Sequence, residues 1–234
     1  MTKESPRPSL LRVIRTAAVD LYYNLIRLVV ANVFWGASIL LIAFLASGGL
    51  GLIAFVLLIG LVPLTAGLMG MATELVRTRS LVLSDFVAAI RRRFWTHLGI
   101  GVAQLVITLV AVTNLIVGSQ TAGILGPILA VTAFYTLVAL WILAVSTWPL
   151  LLDPVRAEDR VRRIVRVGAT LILAHPVRIS GLAALLAAFF AVSVVLAAAL
   201  VTIAGAFGFL VAAHYVLPAA DRLEQRATLE LPED

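Results

Sequence analysis

PLTAGLMGMATELVRTRSLVLSDFVAAIRRRF, residues 63–94, contains the pattern on which the fold depends. An apolar run interrupted by Pro63 continues to Glu74 and then breaks at Arg77 and Arg79. The chain resumes as a short amphipathic segment that ends in three consecutive basic residues, Arg91, Arg92 and Arg93. A long apolar run followed by a basic amphipathic segment is typical of a membrane-spanning helix joined to a helix that lies on the bilayer surface.

The composition of the whole chain agrees with this interpretation. Of its 234 residues, 62% are apolar and only 13% are charged, whereas soluble domains carry about 25% charged residues. The formal net charge is +6, but the basic residues flank the apolar runs, where membrane topology places them, so we expect no nucleic-acid partner. The chain has no cysteine, which excludes disulfides, thiolate catalysis and cysteine metal ligation.

Three long runs carry no acidic or basic residue other than histidine. They cover residues 28–73, 96–152 and 179–220, and each is long enough for two spans of about 20 residues. We expect their turns at residues 47–49, 118–121 and 201–205, the last being the least clearly marked. The sequence therefore predicts an all-α, polytopic transmembrane helical bundle of six spans in three hairpins, with four or five spans as the alternatives.

An amphipathic segment precedes each hairpin. Leu11, Ile14, Ala18, Leu21 and Leu25 recur at helical spacing before the first, and similar segments lie at 83–94 and 161–172. We predict one integral membrane domain over residues 1–234. It divides into a mobile tail (1–9), three units of an interface helix plus a hairpin (10–73, 80–152 and 157–220) and a polar tail (221–234), with Ser9 as the cap of the first helix.

The loops also predict the orientation of the chain in the membrane. All 18 Lys and Arg residues fall in segments 1–27, 77–93, 156–178 and 221–234, and none in the three hairpin turns. By the positive-inside rule these segments are cytoplasmic. We therefore expect a multi-pass protein of the cell membrane with both termini in the cytoplasm.

The three hairpins resemble versions of one unit. The second span of each ends near a proline, at Pro63, Pro149 and Pro218. If the unit is a true repeat, its structural consequence is a quasi-threefold bundle. The alternative is that any polytopic chain with short loops produces this periodicity.

Few side chains in the spans offer chemistry. The candidate polar residues inside the membrane are Asn32, Gln104 and Asn114, which we expect to join helices by hydrogen bonds rather than to line a path. Gly60 and Gly67, about two turns apart, are candidates for close helix contact, as are Ala183, Ala187 and Ala191. No motif of a catalytic nucleophile, nucleotide site or zinc protease occurs, so we expect no enzyme activity, no cofactor and no metal site.

The charged and titratable residues near the span ends suggest structural roles. Glu74 lies one helical turn before Arg77 and is expected to pair with it. His97, His175 and His214 lie on different elements without metal-ligand spacing. The arginines of the two internal basic segments are candidates for contact with anionic lipid headgroups or for docking of a partner: Arg91, Arg92, Arg93, Arg160, Arg162, Arg163 and Arg166.

Several short motifs together resemble the YesL-like family of bacterial membrane proteins. They are Asn24 before the first span, Pro63-Leu-Thr-Ala66 leading through Glu74-Leu-Val-Arg77 to Asp85-Phe86, Trp148-Pro-Leu150, and residues 169–178, ATLILAHPVR. The match extends over nearly the whole chain. The resemblance implies a domain of unknown biochemical function, frequently encoded beside carbohydrate ABC transporter components, and it supplies no catalytic residues.

Three classes of function follow from these observations. An accessory or assembly component of a membrane complex agrees best with uncharged spans, basic interface helices and the resemblance to the YesL-like family, which implies a complex such as a carbohydrate ABC transporter. A small-solute transporter or channel is the alternative, and it requires a polar midplane or broken helices. An intramembrane enzyme is the weakest, because the catalytic groups are missing. The sequence does not specify an oligomeric state.

Overall fold

The structure is a computed structural model that describes residues 9–229, with side chains to residue 226. Residues 1–8 and 230–234, which belong to the expected tails, lie outside the described part. The fold is all-α, and six helices have the length and apolar composition to cross a membrane. The elements in chain order are α1 Leu10–Tyr23, α2 Leu25–Ser47, α3 Gly51–Thr78, α4 Ser84–Arg91, α5 Phe94–Gln120, α6 Leu125–Leu151, a 3₁₀ turn Pro154–Arg156, α7 Val161–Ala174, α8 Pro176–Val195, α9 Ala197–Ala199, a π-helix Leu200–Ala204 and α10 Gly205–Leu229.

The predicted six spans and three amphipathic helices are therefore confirmed, but the third turn and the end of the chain differ from the prediction. The third reversal occurs at Leu196, and the expected turn region 201–205 is mostly π-helix. Residues 194–200 contain no Gly, Pro or polar residue that would mark a turn. At the other end, α10 continues through Asp221 to Leu229, so the segment expected to be a polar tail begins as helix.

The hairpins pack in a cyclic order. The second span of each contacts the first span of the next, giving the pairs α3 with α5, α6 with α8 and α10 with α2. The amphipathic helices follow the same rule, since α4 packs on α3, α7 on α6 and α1 on α10. The three second spans also contact one another. Three copies of one unit arranged in a ring would produce this cyclic pattern of helix contacts.

Burial departs from threefold symmetry. In the last span, Ala197–Arg226, which is mostly α10, 72% of the apolar stretch is buried inside the protein, against 11% in α5 and in α6. Large apolar side chains such as Phe44, Leu52 and Ile124 are exposed on the outside of the bundle. An apolar surface of this extent is costly in water, at about 25 cal/mol per Å². We conclude that α10 is the central helix and that the outer surface faces lipid.

Two glycines of α3 allow the amphipathic helix α4 to pack closely against it. A Cβ on Gly67 would lie 2.7 Å from the ring of Phe86, and one on Gly70 would lie 2.2 Å from Cβ of Ala89. These contacts place α4 directly against the backbone of α3. Gly60, which the sequence paired with Gly67, meets no atom within 4 Å and takes no part in such a contact.

Helix α1 begins as predicted but buries a different face. The Ser9 side chain accepts a hydrogen bond from Arg12 N at 3.4 Å, which caps the helix. Val13 and Ala17 are the buried residues, whereas Leu11 is 77% exposed. The apolar stripe predicted from Leu11 is therefore rotated, because contact with α10 decides which side is covered.

Asn32 joins α2 to the π-helix. Its amide nitrogen donates to the carbonyl oxygens of Leu200 and Val201 at 2.9 and 2.8 Å, and its amide oxygen accepts from Ala206 N at 2.8 Å. In a membrane no water satisfies such backbone groups, so a fully buried amide is a suitable substitute. Asn32 thus stabilises an irregular helix turn.

Candidate functional site

A cluster of ion pairs, here named the ion cluster, joins the ends of the second spans of the three hairpins. It consists of Arg77 at the end of α3, Asp153 and Arg156 after α6, and Asp221 and Glu224 in α10. Arg77 donates to both oxygens of Asp153, at 3.0 and 2.5 Å, and to both oxygens of Asp221, at 2.6 and 3.1 Å. The planar guanidinium group has the geometry for this double bidentate contact.

Arg156 completes the ion cluster from the 3₁₀ turn. It donates to Asp153 at 2.5 Å and to Asp221 and Glu224 at 2.6 Å each. Burial alone would lower the pKa of Arg156, but the hydrogen bonds to Asp221 and Glu224 raise it above its ordinary value. Arg156 therefore stays charged at physiological pH, and the ion cluster keeps two cations among three carboxylates.

The ion cluster corrects one prediction and was otherwise missed. Arg77 was expected to pair with Glu74, but it turns to the centre of the bundle, while Glu74 lies 3.6 Å from Arg92. The positive-inside rule uses only Lys and Arg and therefore gives no indication of Asp153 or Asp221. The sequence contains a repeated motif of an acid followed three residues later by arginine. It occurs as Glu74-Leu-Val-Arg77 in the last turns of α3 and as Asp153-Pro-Val-Arg156 directly after α6.

The histidines lie apart from one another. His214, in the interior of α10, contacts Asp20 of α1 at 2.7 Å, and Arg79 lies 3.3 Å from the same carboxylate. His97 is buried in α5 beside Trp148, and its ring lies near the backbone of Leu151. Within residues 9–229, no group of three or more acidic or histidine residues is arranged to hold a metal ion.

A cavity of about 470 Å³, here named the membrane cavity, lies among the spans. Residues from all three hairpins line it, and five of them are aromatic: Trp35, Trp141, Trp148, Phe190 and Phe209. The other lining residues are apolar or small, apart from Thr65, Gln104 and Thr108. This cavity can hold an apolar molecule, and the charge-bearing ion cluster is separate from it.

The predicted polar residues have three different placements. Gln104 lines the membrane cavity, where its side-chain oxygen accepts a hydrogen bond from Trp148 Nε1 at 2.9 Å. Asn32 binds the π-helix, as described above. Asn114 lies farther along α5, outside the lining of the cavity, and is half-buried. The structure therefore brings only Gln104 to a site with room for a ligand.

The predicted arginines separate into two groups. Arg92 faces Glu74, Arg93 donates to the carbonyl oxygen of Asp159, and Arg163 pairs with Asp159 at 2.9 Å and with Glu224 at 3.7 Å. The remaining four are exposed and form no ion pair among the described side chains. We name these the basic face: Arg91, Arg160, Arg162 and Arg166.

No family model, no curated protein and no solved structure matches this chain.

Proposed function

We propose that this integral membrane protein is an accessory or assembly component that binds a larger membrane complex through its basic face. The partner presents an acidic surface on the cytoplasmic side of the membrane. Following the resemblance to the YesL-like family, we propose a carbohydrate ABC transporter as that complex. The proposal assigns no catalytic reaction to the chain.

The basic face is the single observation that carries this proposal. The arginines that point toward the rest of the chain have acidic or carbonyl partners, whereas those of the basic face have none among the described side chains. Three of them are close in sequence: Arg160 is the N-cap of α7, and Arg162 and Arg166, four residues apart, lie on one side of its first half. Cationic patches of this kind steer and orient an acidic partner.

Anionic lipid headgroups are the competing contact for the same side chains. Each arginine near such a surface contributes about 1 kcal/mol. A lipid contact and a protein contact can alternate, because headgroups exchange freely around α7. The experiment must therefore separate loss of a protein partner from loss of lipid.

The test is purification from native membranes in a mild detergent, followed by mass spectrometry. We expect permease or substrate-binding subunits of an ABC transporter in stoichiometric amounts with the wild type. The triple variant Arg160→Gln, Arg162→Gln, Arg166→Gln should lose them while inserting normally. Arg163 is left unchanged because it pairs within the chain.

A matched control removes the same charge elsewhere. Arg12, Arg15 and Arg27 are also exposed, and their triple change to Gln lowers the net charge equally. This control should retain the partner. Equal loss of the partner in both triple variants, together with loss of bound anionic lipid, would show that the arginines contact lipid. An unchanged complex in the α7 variant would contradict the proposal.

A small-solute transporter or channel is the second candidate, and the membrane cavity favours it. Gln104, which lines the membrane cavity, is the first solute contact to alter in a test of transport. Proteoliposomes should show sugar flux above that of empty liposomes if this candidate is correct. The accessory proposal expects no such flux and a protein that purifies with its partner.

A further inference from the structure

The membrane cavity has the size and position of a ligand site. Its volume of about 470 Å³ falls in the range of about 300–1,000 Å³ that small-molecule pockets occupy. Gln104 lies ten residues into α5, about 15 Å along the helix axis from Phe94. The cavity is therefore located well inside the hydrocarbon region, so its occupant comes from the membrane.

The lining excludes a charged ligand. Among the described residues that line the cavity there is no Asp, Glu, Lys, Arg or His. A charge without a partner at this depth would be costly. The aromatic wall, in which the rings of Trp35 and Phe209 lie 5.7 Å apart and those of Trp141 and Phe190 lie 6.2 Å apart, suits a flat or chain-like apolar molecule.

Most polar groups of the lining are already engaged. The indole N–H of Trp35 donates to Thr65 Oγ1 at 2.9 Å, and that of Trp141 donates to the carbonyl oxygen of Ala183 at 2.8 Å. The hydroxyl of Thr65 in turn donates to Leu61 O, and that of Thr108 donates to Gln104 O. The hydrogen bonds of these groups are satisfied within the protein, so they require no ligand.

Gln104 is the exception. An indole N–H can only donate, so the contact with Trp148 requires the side-chain oxygen of Gln104 on that side and the NH₂ group on the other. This NH₂ group forms no hydrogen bond with another described residue. In a site without charge and without bulk water, an unused amide donor is costly, and it selects a ligand that carries an acceptor.

We propose that the membrane cavity binds a neutral lipophile whose carbonyl oxygen accepts a hydrogen bond from the side-chain amide of Gln104. Two kinds of membrane molecule have this chemistry: a fatty-acyl ester and an isoprenoid quinone. Both have an apolar chain for the cavity and a carbonyl group without charge. The proposal is independent of the basic face and of any partner.

Tryptophan fluorescence provides a direct test. The chain has four tryptophans, of which Trp35, Trp141 and Trp148 line the cavity and Trp95 is 79% exposed. In a Trp95→Phe background, the emission therefore reports on the cavity. The probes are methyl 9,10-dibromostearate, 9,10-dibromooctadecane, which has the same chain without the carbonyl, and a decyl-substituted benzoquinone, all of which quench indole on contact.

We expect saturable quenching by the ester or the quinone at about tenfold lower concentration than by the bromoalkane, as one hydrogen bond predicts. Quenching by the quinone alone identifies a quinone site, and quenching by the ester alone identifies an acyl-ester site. In the Gln104→Leu variant, the ester or quinone should quench only at the concentration that the bromoalkane requires. Asn114→Leu, on the same helix but outside the cavity, should leave the response unchanged.

A second variant tests the cavity without touching the amide. Ala144→Phe places a ring in the lined space and should abolish saturable quenching by every probe, with helicity checked by circular dichroism. Equal potency of ester, quinone and bromoalkane would overturn the proposal. Identical responses of Gln104→Leu and Asn114→Leu, or quenching that only follows the probe's mole fraction in the micelle, would overturn it as well.

Discussion

At the scale of single residues, Asp153 is the carboxylate on which the ion cluster most depends. It is fully buried, and it accepts hydrogen bonds from both Arg77 and Arg156. An Asn side chain has one acceptor oxygen and an NH₂ group in place of the second, so a buried charge-assisted hydrogen bond of about 1.5–3 kcal/mol is lost, while Asp221 and Glu224 still compensate the two arginines. We therefore expect Asp153→Asn to lower the free energy of unfolding by about that amount, measured as thermal unfolding in detergent.

The control for this prediction is an acid of the same loop whose arginine partner is exposed. Asp159 pairs with Arg163, whose side chain is 62% exposed, and such surface pairs contribute about 0–1 kcal/mol. Asp159→Asn should therefore leave the unfolding temperature nearly unchanged. Equal shifts in the two variants would show that the ion cluster does not stabilise the junction of the three spans.

Single-residue roles were harder to predict from the sequence than single-residue positions. Asn32 was expected to join helices and does so, yet its partners lie 168 or more residues away, at a π-helix that no local pattern announced. Arg77 was located at the end of a span but assigned to its neighbour Glu74. Contacts between distant segments depend on how the hairpins pack, and helical spacing within one segment carries no information about that packing.

At the scale of elements, the close approach of α2 to the π-helix makes a sharp prediction. A Cβ on Gly36 would lie 2.6 Å from Val201 Cα and 2.7 Å from Leu200 O, both backbone atoms that cannot rotate away. We expect Gly36→Ala to destabilise the protein by about 1–3 kcal/mol, as overpacking does. The measurement is again thermal unfolding in detergent, with helix content followed by circular dichroism.

Gly60→Ala is the matched control, since it makes the same change in a span where no atom lies within 4 Å of the added Cβ. It should be neutral or stabilise the helix by up to about 1 kcal/mol. A Gly36→Ala variant as stable as Gly60→Ala would mean that α2 and the π-helix are farther apart than described.

The elements themselves were largely predictable because their signals are local. Uncharged runs of spanning length identified the spans, and polar or glycine-containing turns located the first two reversals. The third reversal was misplaced because the chain around Leu196 is uniformly apolar, so the turn is fixed by the contact with Asn32 and Gly36 rather than by its own residues. The membrane cavity was not predictable, since three hairpins contribute its lining.

At the scale of the whole molecule, the cyclic packing places every amphipathic helix and the ion cluster at one end of the bundle. The hairpin turns lie at the other end and carry no Lys or Arg. This separation of charge makes the orientation a testable property of the entire chain. The native chain has no cysteine, so single introduced cysteines report their own location.

We expect Ser47→Cys, Ser119→Cys and Ala197→Cys, one in each hairpin turn or beside it, to react with a membrane-impermeant maleimide in intact cells. Ser84→Cys, at the start of α4, should react only after the membrane is permeabilised. All four positions are exposed on the protein surface, so none of them is shielded by the rest of the chain. Labelling of Ser84→Cys alone in intact cells would show that the orientation is the opposite of the one expected. The basic face would then lie outside the cell, which would contradict the cytoplasmic docking proposed for it.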